Sequence, residues 1–335
     1  MMFPLWTAMG HLVRRGLIVA LAAVIASTAG LGQNRVRQAN IGYISPGIYG
    51  ISNDEYLGGV RKGLSDRGYV EGRNLVIEER YADGFTDRLP SLISGLLAKK
   101  VDLLMTLGSQ TAIVAQHLTS SVPIVFLSGD PNKAGLVPSL SHPSANLAGF
   151  SLASTEYSVK WPELLKEVAP NLHRVALVWN PTNPVVAEEV NQIRHIAPKL
   201  GLEIQTLALL PPNIDGTLAA ISAAGVDGLI LANDAVVESF ASRLIPFAAE
   251  RQLPAIWGSG FAPMQGALMS YSSDSFALGQ RAAHYVDRIL KGTSPSDLPI
   301  EQTTAFTLRI NLKTAKALGL TVPSELLATA DEVIE

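Results

Sequence analysis

Short polar loops carry the side chains with chemistry to offer. In the first half they are Ser45-Pro46-Gly47-Ile48-Tyr49, Gly108-Ser109-Gln110-Thr111 and Ser128-Gly129-Asp130-Pro131. In the second half they are Asn180-Pro181-Thr182-Asn183, Asn233-Asp234 and Trp257-Gly258-Ser259. These are hydroxyls, amides, carboxylates and aromatic rings, and their chemistry is that of holding a molecule. Ser109 at a helix start would leave backbone N–H groups free for an anion such as a carboxylate. Asp130 or Asp234 would accept from an ammonium or a hydroxyl. Trp179 or Trp257 would stack on a ring. The same residues also suit structural duty. Ser109 caps a helix, Asp130-Pro131 and the Asn residues form turns, and a strand Trp packs in a core.

Bond-making chemistry lacks its parts. No nucleophile, base and orienting group fall together in these loops. The His residues at 11, 117, 142, 173, 195 and 284 show no metal-ligand spacing. No G-x-G-x-x-G follows the first strand, and Gly258-Ser259-Gly260 lacks the spacing of a nucleophile elbow. The chain has no cysteine, which excludes disulfides, thiol nucleophiles and Cys-bound metal clusters.

These loops are placed by alternating strand and helix patterns. Strands are expected at Ile41–Ile44, Leu75–Glu79, Leu103–Leu107 and Ile124–Leu127. Helices are expected at Asn53–Arg67, Asp87–Lys99 and Gln110–His117, the first opened by the capping-box spacing Ser52-Asn53-Asp54-Glu55. A second series has strands Val175–Trp179, Ile204–Leu207, Gly228–Leu231 and Ala255–Trp257. Its helices are Tyr157–Val168, Pro184–Leu200, Asp215–Ala224 and Ala235–Arg251. The tail adds a strand at Ala267–Tyr271, a helix at Phe276–Lys291, a strand at Phe306–Ile310 and a helix at Leu312–Leu318. Tandem βαβ series predict an α/β protein of two doubly wound parallel-sheet lobes. In such sheets, ligands bind outside the carboxyl ends of the strands. Each polar loop stands at such an end, so the expected cleft is Ser45, Tyr49, Ser109, Gln110 and Asp130 facing Asn180, Asn233, Asp234 and Trp257.

Composition agrees with binding by a folded, exported chain. The 335 residues exceed one ordinary core, and 47% hydrophobic with 16% charged residues exclude disorder. The net charge of −3 argues against a nucleic-acid partner. Arg14-Arg15, the apolar run Gly16–Ala26 and the small residues Ser27-Thr28-Ala29 predict a signal peptide over 1–29, cleaved near Ala29. Val13 precedes the Arg pair where a twin-arginine signal has Ser or Thr.

The chain resembles the ABC-transporter substrate-binding proteins of the family with tryptophan- and tyrosine-binding members. The resemblance rests on Gly59-Val-Arg-Lys-Gly-Leu-Ser-Asp-Arg-Gly-Tyr-Val-Glu-Gly-Arg-Asn-Leu-Val-Ile-Glu78, Asp87-Arg-Leu-Pro90, Gly129-Asp-Pro131 with Gly135-Leu-Val137, and Val178-Trp-Asn-Pro181. It continues through Leu268-Met-Ser-Tyr271, Ile289-Leu-Lys-Gly292, Ile310–Pro323 and Ala330-Asp-Glu-Val-Ile334. The departures are Pro143-Ser-Ala-Asn146 for the family's Pro-Gly-Gly-Asn, and Gly108-Ser-Gln-Thr-Ala112 for its Gly-Thr-Pro-Ala.

The resemblance implies a type I periplasmic-binding fold with a three-crossing hinge. Lobe one is then expected at 30–152 plus 267–292 and lobe two at 153–266 plus 300–335, with crossings near 151–155, 263–266 and 293–299. It implies a periplasmic, monomeric receptor without cofactor or metal and without enzymatic activity. Such a receptor would close on a small solute, an amino acid or another heteroaromatic or carboxylate compound, and pass it to a membrane permease with its ATPase. A receptor feeding a sensor or chemoreceptor would look the same. An exported α/β enzyme fits less well, for want of a catalytic set. A sugar-responsive repressor would need a DNA-binding module where the signal-like segment stands.

Overall fold

The computed structural model describes residues 38–50, 53–141 and 146–335. The expected signal peptide, Ser52 of the capping box and Pro143–Ala145 lie outside the described residues.

The first sheet has the strand order β11-β5-β4-β3-β1-β2. Its strands are β1 (Ala39–Ser45), β2 (Leu75–Tyr81), β3 (Leu103–Leu107), β4 (Ile124–Ser128), β5 (Leu147–Ser151) and β11 (Glu301–Gln302). The second has the order β13-β12-β10-β9-β8-β6-β7. It holds β6 (Arg174–Trp179), β7 (Glu203–Ala208), β8 (Gly228–Leu231), β9 (Ala255–Trp257), β10 (Met269–Ser273), β12 (Phe306–Asn311) and β13 (Glu332–Ile334). All these pairings are parallel except β10 with β12.

The apolar runs make these sheets because both faces are covered. Along β3 and β4, Leu103, Met105, Val125 and Leu127 enter one core, while Leu104, Ile124 and Phe126 enter the core on the opposite face. In the second sheet Val175, Leu177 and Ile230 face one core, and Ala176, Val178 and Leu231 the other. A period of two over continuous apolar sequence is what a doubly covered parallel strand requires.

The covering helices are α1 (Asn53–Ser65), α2 (Leu89–Ala98) and α3 (Ser109–Leu118) in the first lobe. The second lobe has α4 (Ser154–Tyr157), α5 (Lys160–Val168), α6 (Pro184–Ile196), α7 (Ile214–Ala223), α8 (Ala235–Ser239) and α9 (Ala241–Glu250). The tail adds α10 (Ser275–Leu290), α11 (Leu312–Ala317) and α12 (Ser324–Thr329). The helix expected over Ala235–Arg251 is two helices, parted at Phe240. β5, β11, α12 and β13 were not foreseen; two of them are strands of two or three residues, too short for a periodic signal.

The lobe boundaries in the tail need correction. The strand expected in lobe one at 267–271 is β10, in the second sheet, where Leu268 and Met269 fill that lobe's core. The chain therefore changes lobe at Ser273–Ser275, not near 263–266. It returns between β11 and β12, through Thr303–Ala305, not near 293–299. The first crossing follows β5, where Ala153 holds a left-handed conformation (φ 52°, ψ 34°) before α4. The crossings touch: Thr303 N–H donates to the Ser151 carbonyl at 2.9 Å.

α10 belongs to lobe one, packed on α1. A Cβ added at Gly59 would fall on the Phe276 carbonyl oxygen, and one at Gly279 on that of Tyr56. At Gly63 it would come within 2.6 Å of the Ala283 methyl group. The helices approach through bare backbone, a spacing that only glycine permits.

Candidate functional site

β1 is flanked by β2 and β3, and β6 by β7 and β8. Strand order reverses at both places, and each reversal opens a crevice beyond the strand ends. The two crevices face each other. A methyl on Gly129 would lie 2.7 Å from the Ser154 hydroxyl and 2.9 Å from Val185, so the loop after β4 touches the second lobe. The cleft between them leaves ≈ 90 Å³ for the centres of water-sized molecules. One ordered water takes roughly 10–15 Å³ on that measure, so the space suits a small organic molecule.

On the first lobe, Ser109 and Gln110 line this cleft. Gly108 (φ 83°) is the N-cap, not Ser109. Ser109 is the first helical residue, and its buried hydroxyl pairs with Ser128 Oγ at 2.7 Å. Gln110 crosses the cleft. Its Nε2 donates to the Thr182 carbonyl at 2.6 Å and to Thr182 Oγ1 at 2.7 Å, and its Oε1 accepts from Asn180 Nδ2 at 3.4 Å. A second link joins Arg309 of β12 to Glu55 of α1 at 3.4 Å.

The other expected first-lobe residues do not line it. Ser45 is buried and its Oγ accepts from Gly47 N at 3.0 Å, fixing the turn. Tyr49 is 74% exposed and packs edge-on against Tyr81. Asp130 is already spent: Oδ1 accepts from the N–H groups of Asn132 and Lys133 in its own turn, and Oδ2 from the Thr155 hydroxyl of the second lobe at 2.9 Å. An Asp before Pro makes a turn in the same way whether or not a ligand is near, so sequence does not separate the two roles.

On the second lobe, Asp234 is the node. It caps α8 through Val236 N–H and accepts from Asn183 Nδ2 at 2.8 Å and Asn180 Nδ2 at 3.1 Å. Burial pushes its carboxyl up from the ordinary range, and the bonds from Asn183, Val236 and Asn180 pull against that. Asn183, Asn233 and Asp234 line the cleft; Asn180 stands behind Asp234 and is buried. Asn233 Nδ2 donates to the Tyr157 hydroxyl at 2.6 Å. Trp257 is a core residue against Phe261, the usual fate of a large ring closing a central strand.

Two cleft residues escaped the reading of loops. Glu238 accepts from the Ser259 hydroxyl. Glu189 of α6 is 1% exposed, lines the cleft, and has no hydrogen-bond partner on either carboxyl oxygen. Burial pushes its carboxyl up to about 8. The Ser154 hydroxyl, near it but outside hydrogen-bonding geometry, lowers it; the charges of Asp234 and Asp130 raise it further. The signal was present: Glu189 interrupts the buried stripe Val185, Val186, Val190, Ile193 of an amphipathic helix. Among the lining residues, the acids are Glu55, Glu189, Asp234 and Glu238, and there is no Lys, Arg or His.

Two doubly wound lobes, three crossings and a polar cleft between facing switch points define the two-lobed, type I periplasmic-binding architecture. Residues 44–334 match the family described as ABC transporter substrate binding protein, and the chain belongs to that family. A conserved domain protein from Vibrio cholerae O1 biovar El Tor shares the fold with a TM-score of 0.81 and 27% identity, over 89% of this chain and 100% of that one. The Streptococcus pneumoniae ABC domain solved in complex with L-Trp gives a TM-score of 0.80 at 24% identity, over 89% and 100%. A tyrosine-binding protein of Clostridioides difficile strain R20291 is 27% identical over 286 residues, 85% of this chain and 82% of that one.

Proposed function

We propose that this chain is the periplasmic, monomeric solute receptor of an ABC import system. It binds an amino acid between its lobes, closes on it, and presents it to a membrane permease with its ATPase. One observation carries the reading: two facing switch points converge on one small polar cleft, with a helix start on one side and buried carboxylates on the other. The N–H groups of a first helical turn have no partners inside the helix and favour a carboxylate. The acids opposite suit an ammonium. The L-Trp complex and the tyrosine-binding relative support an amino acid over a nucleoside or a sugar. The crossings at Leu152–Ala153, Ser273–Ser275 and Thr303–Ala305 supply a hinge, because side-by-side connections let two lobes rotate about one axis.

A thermal-shift screen of amino acids, nucleosides and simple carboxylates tests this. At least one amino acid is expected to raise the melting temperature, and small-angle scattering with it should show compaction. Stabilisation by nucleosides alone, or an unchanged radius at saturation, would overturn the reading. Export carries its own check: the mass of the periplasmic protein should lack residues 1–29.

A further inference from the structure

The cleft contains one carboxyl that the fold does not use. Asp234 is spent on Asn180, Asn183 and a helix cap, Glu238 on Ser259, and Glu55 on Arg309. Glu189 alone among the lining acids has both oxygens buried and unpartnered. A buried carboxyl is normally paired, because leaving it unpaired costs far more than a lost surface contact. No turn, cap or ion pair of the described residues accounts for it, and its helix would be better served by an apolar residue in that stripe.

We infer that Glu189 is the ligand's ammonium receptor, that it stands protonated in the empty cleft, and that capture of the cation drives its proton out to solvent. The solute class is then a primary amine. This rests on the reading of the cleft as a solute site.

The surroundings support the proton's place. Asp234 at the start of α8 and Asp130 after β4 both raise the Glu189 carboxyl, and burial raises it most, to about 8. From α4 it meets the Ser154 and Tyr157 hydroxyls, and the Tyr157 hydroxyl is itself held protonated by burial. Glu238 adds another negative neighbour in the cleft. The strands beneath α6 bring only Arg174 and Glu203, exposed and paired with each other at 3.3 Å at the start of β6 and β7. Lys133, from the loop after β4, lies outside the cleft lining and pairs with Glu188 at 3.9 Å, and Arg194, His195 and Lys199 are exposed at the far end of the helix and beyond it. No described cation therefore neutralises Glu189 from within the cleft, and an incoming ammonium would be the first. The balance is simple. The carboxyl loses its proton to the buffer, the ammonium keeps its own, and the new ion pair is buried as the lobes close.

The test is titration calorimetry of the mature protein with matched probes. L-tryptophan is paired with indole-3-propionate, and L-tyrosine with 3-(4-hydroxyphenyl)propionate; each second member lacks only the amine. The amine-bearing member should bind at least tenfold tighter. Its Kd should fall about tenfold per pH unit between about pH 6 and 7 and level off near 8, the slope expected for one linked proton. Heats in buffers of different ionisation enthalpy should show nearly one proton released at pH 6.5. Glu189→Gln should abolish both the release and the slope, while Glu189→Asp should keep the release at lower affinity. A Glu189→Gln protein that loses thermal stability but keeps the slope and the release would make the residue structural and overturn the inference. Equal or tighter binding of the amine-free members would also overturn it while leaving the solute reading intact. Binding by none of the four would remove both.

Discussion

The first lobe brings Ser109, Gln110 and the opening turn of α3 to the cleft, all without formal charge, and its one lining acid, Glu55, is bonded to Arg309. The second lobe brings Glu189, Asp234 and Glu238, all buried. Both lobes use the same architecture and the same kind of loop. They differ because the second lobe aims acids into the cleft from a strand-end turn, Asp234, and from two helices, Glu189 and Glu238, while the first lobe relies on a glycine-capped helix start. The lining acids therefore fall mainly on one wall, three on the second lobe against Glu55 on the first. A zwitterion has only one favourable orientation in the cleft. The second-lobe wall holds its carboxyls out of water. Preorganisation on the second lobe is thus the costly part, and its residues should respond more strongly to change.

Asp234→Ala should have the largest effect. It strands the Asn180 and Asn183 amides and uncaps α8. At about 1–3 kcal/mol for each stranded buried group, less the relief of removing a buried acid, the loss should be about 2–4 kcal/mol in urea unfolding. Asp130→Ala, in the first lobe, should lose about 1 kcal/mol and weaken affinity a few-fold, because it removes the link to Thr155 of the second lobe as well as a local turn. Equal loss of affinity in both variants would erase the contrast between the walls.

Glu189 gives the lobes different responses to pH. Its folded carboxyl titrates at about 8 against an ordinary value of 4.5. The folded state therefore binds the proton more tightly than the unfolded chain. Its contribution is fully present below the ordinary value and is lost as pH rises through 8, by at most about 1.4 kcal/mol per unit. Ligand-free wild type should lose melting temperature across that window relative to Glu189→Gln. Parallel pH profiles for the two proteins would contradict the neutral carboxyl.

Gln110→Ala should act more gently. It removes the bonds to Thr182 and Asn180 that tie the lobes without ligand. Each such bond contributes about 0.5–1.5 kcal/mol, so the ligand-free radius in small-angle scattering should grow and affinity should fall a few-fold. Tyr49→Ala should be the quietest. An exposed ring outside the cleft should change stability by no more than about 0.5 kcal/mol and binding not at all.

Much of this was legible in the sequence. The strands of both series follow from two-period apolar runs, and the polar loops do stand at strand ends. Ser109, Gln110, Asn233 and Asp234 reach the cleft because residues just past β3 and β8 flank the switch points. Position beyond a strand says nothing about which way a side chain turns. Ser45 turns back onto its own backbone, Asp130 divides between its own turn and Thr155, Tyr49 turns to solvent, and Trp257 alternates into a core. Glu189 was hidden for the opposite reason. It sits in mid-helix, where a single acid in an apolar stripe carries none of the strand-end position that marks the loops. The tail crossings were misplaced because β10 stays beside β9 in the second sheet and finds its other partner, β12, only after the chain has visited lobe one.

The bare-backbone seating of α10 on α1 also sets an order of events. Lobe one is begun by residue 39, yet it acquires its tightest helix contact only at 275–290 and its edge strand at 301–302. Until those segments arrive, Leu57, Val60 and Leu64 have no lid, and the second lobe still waits for β12 and β13. Neither half can close its core before nearly the whole chain has been made. Such long-range closure slows folding. The delay leaves both lobes open until the last tenth of the chain is made, and both are then completed together.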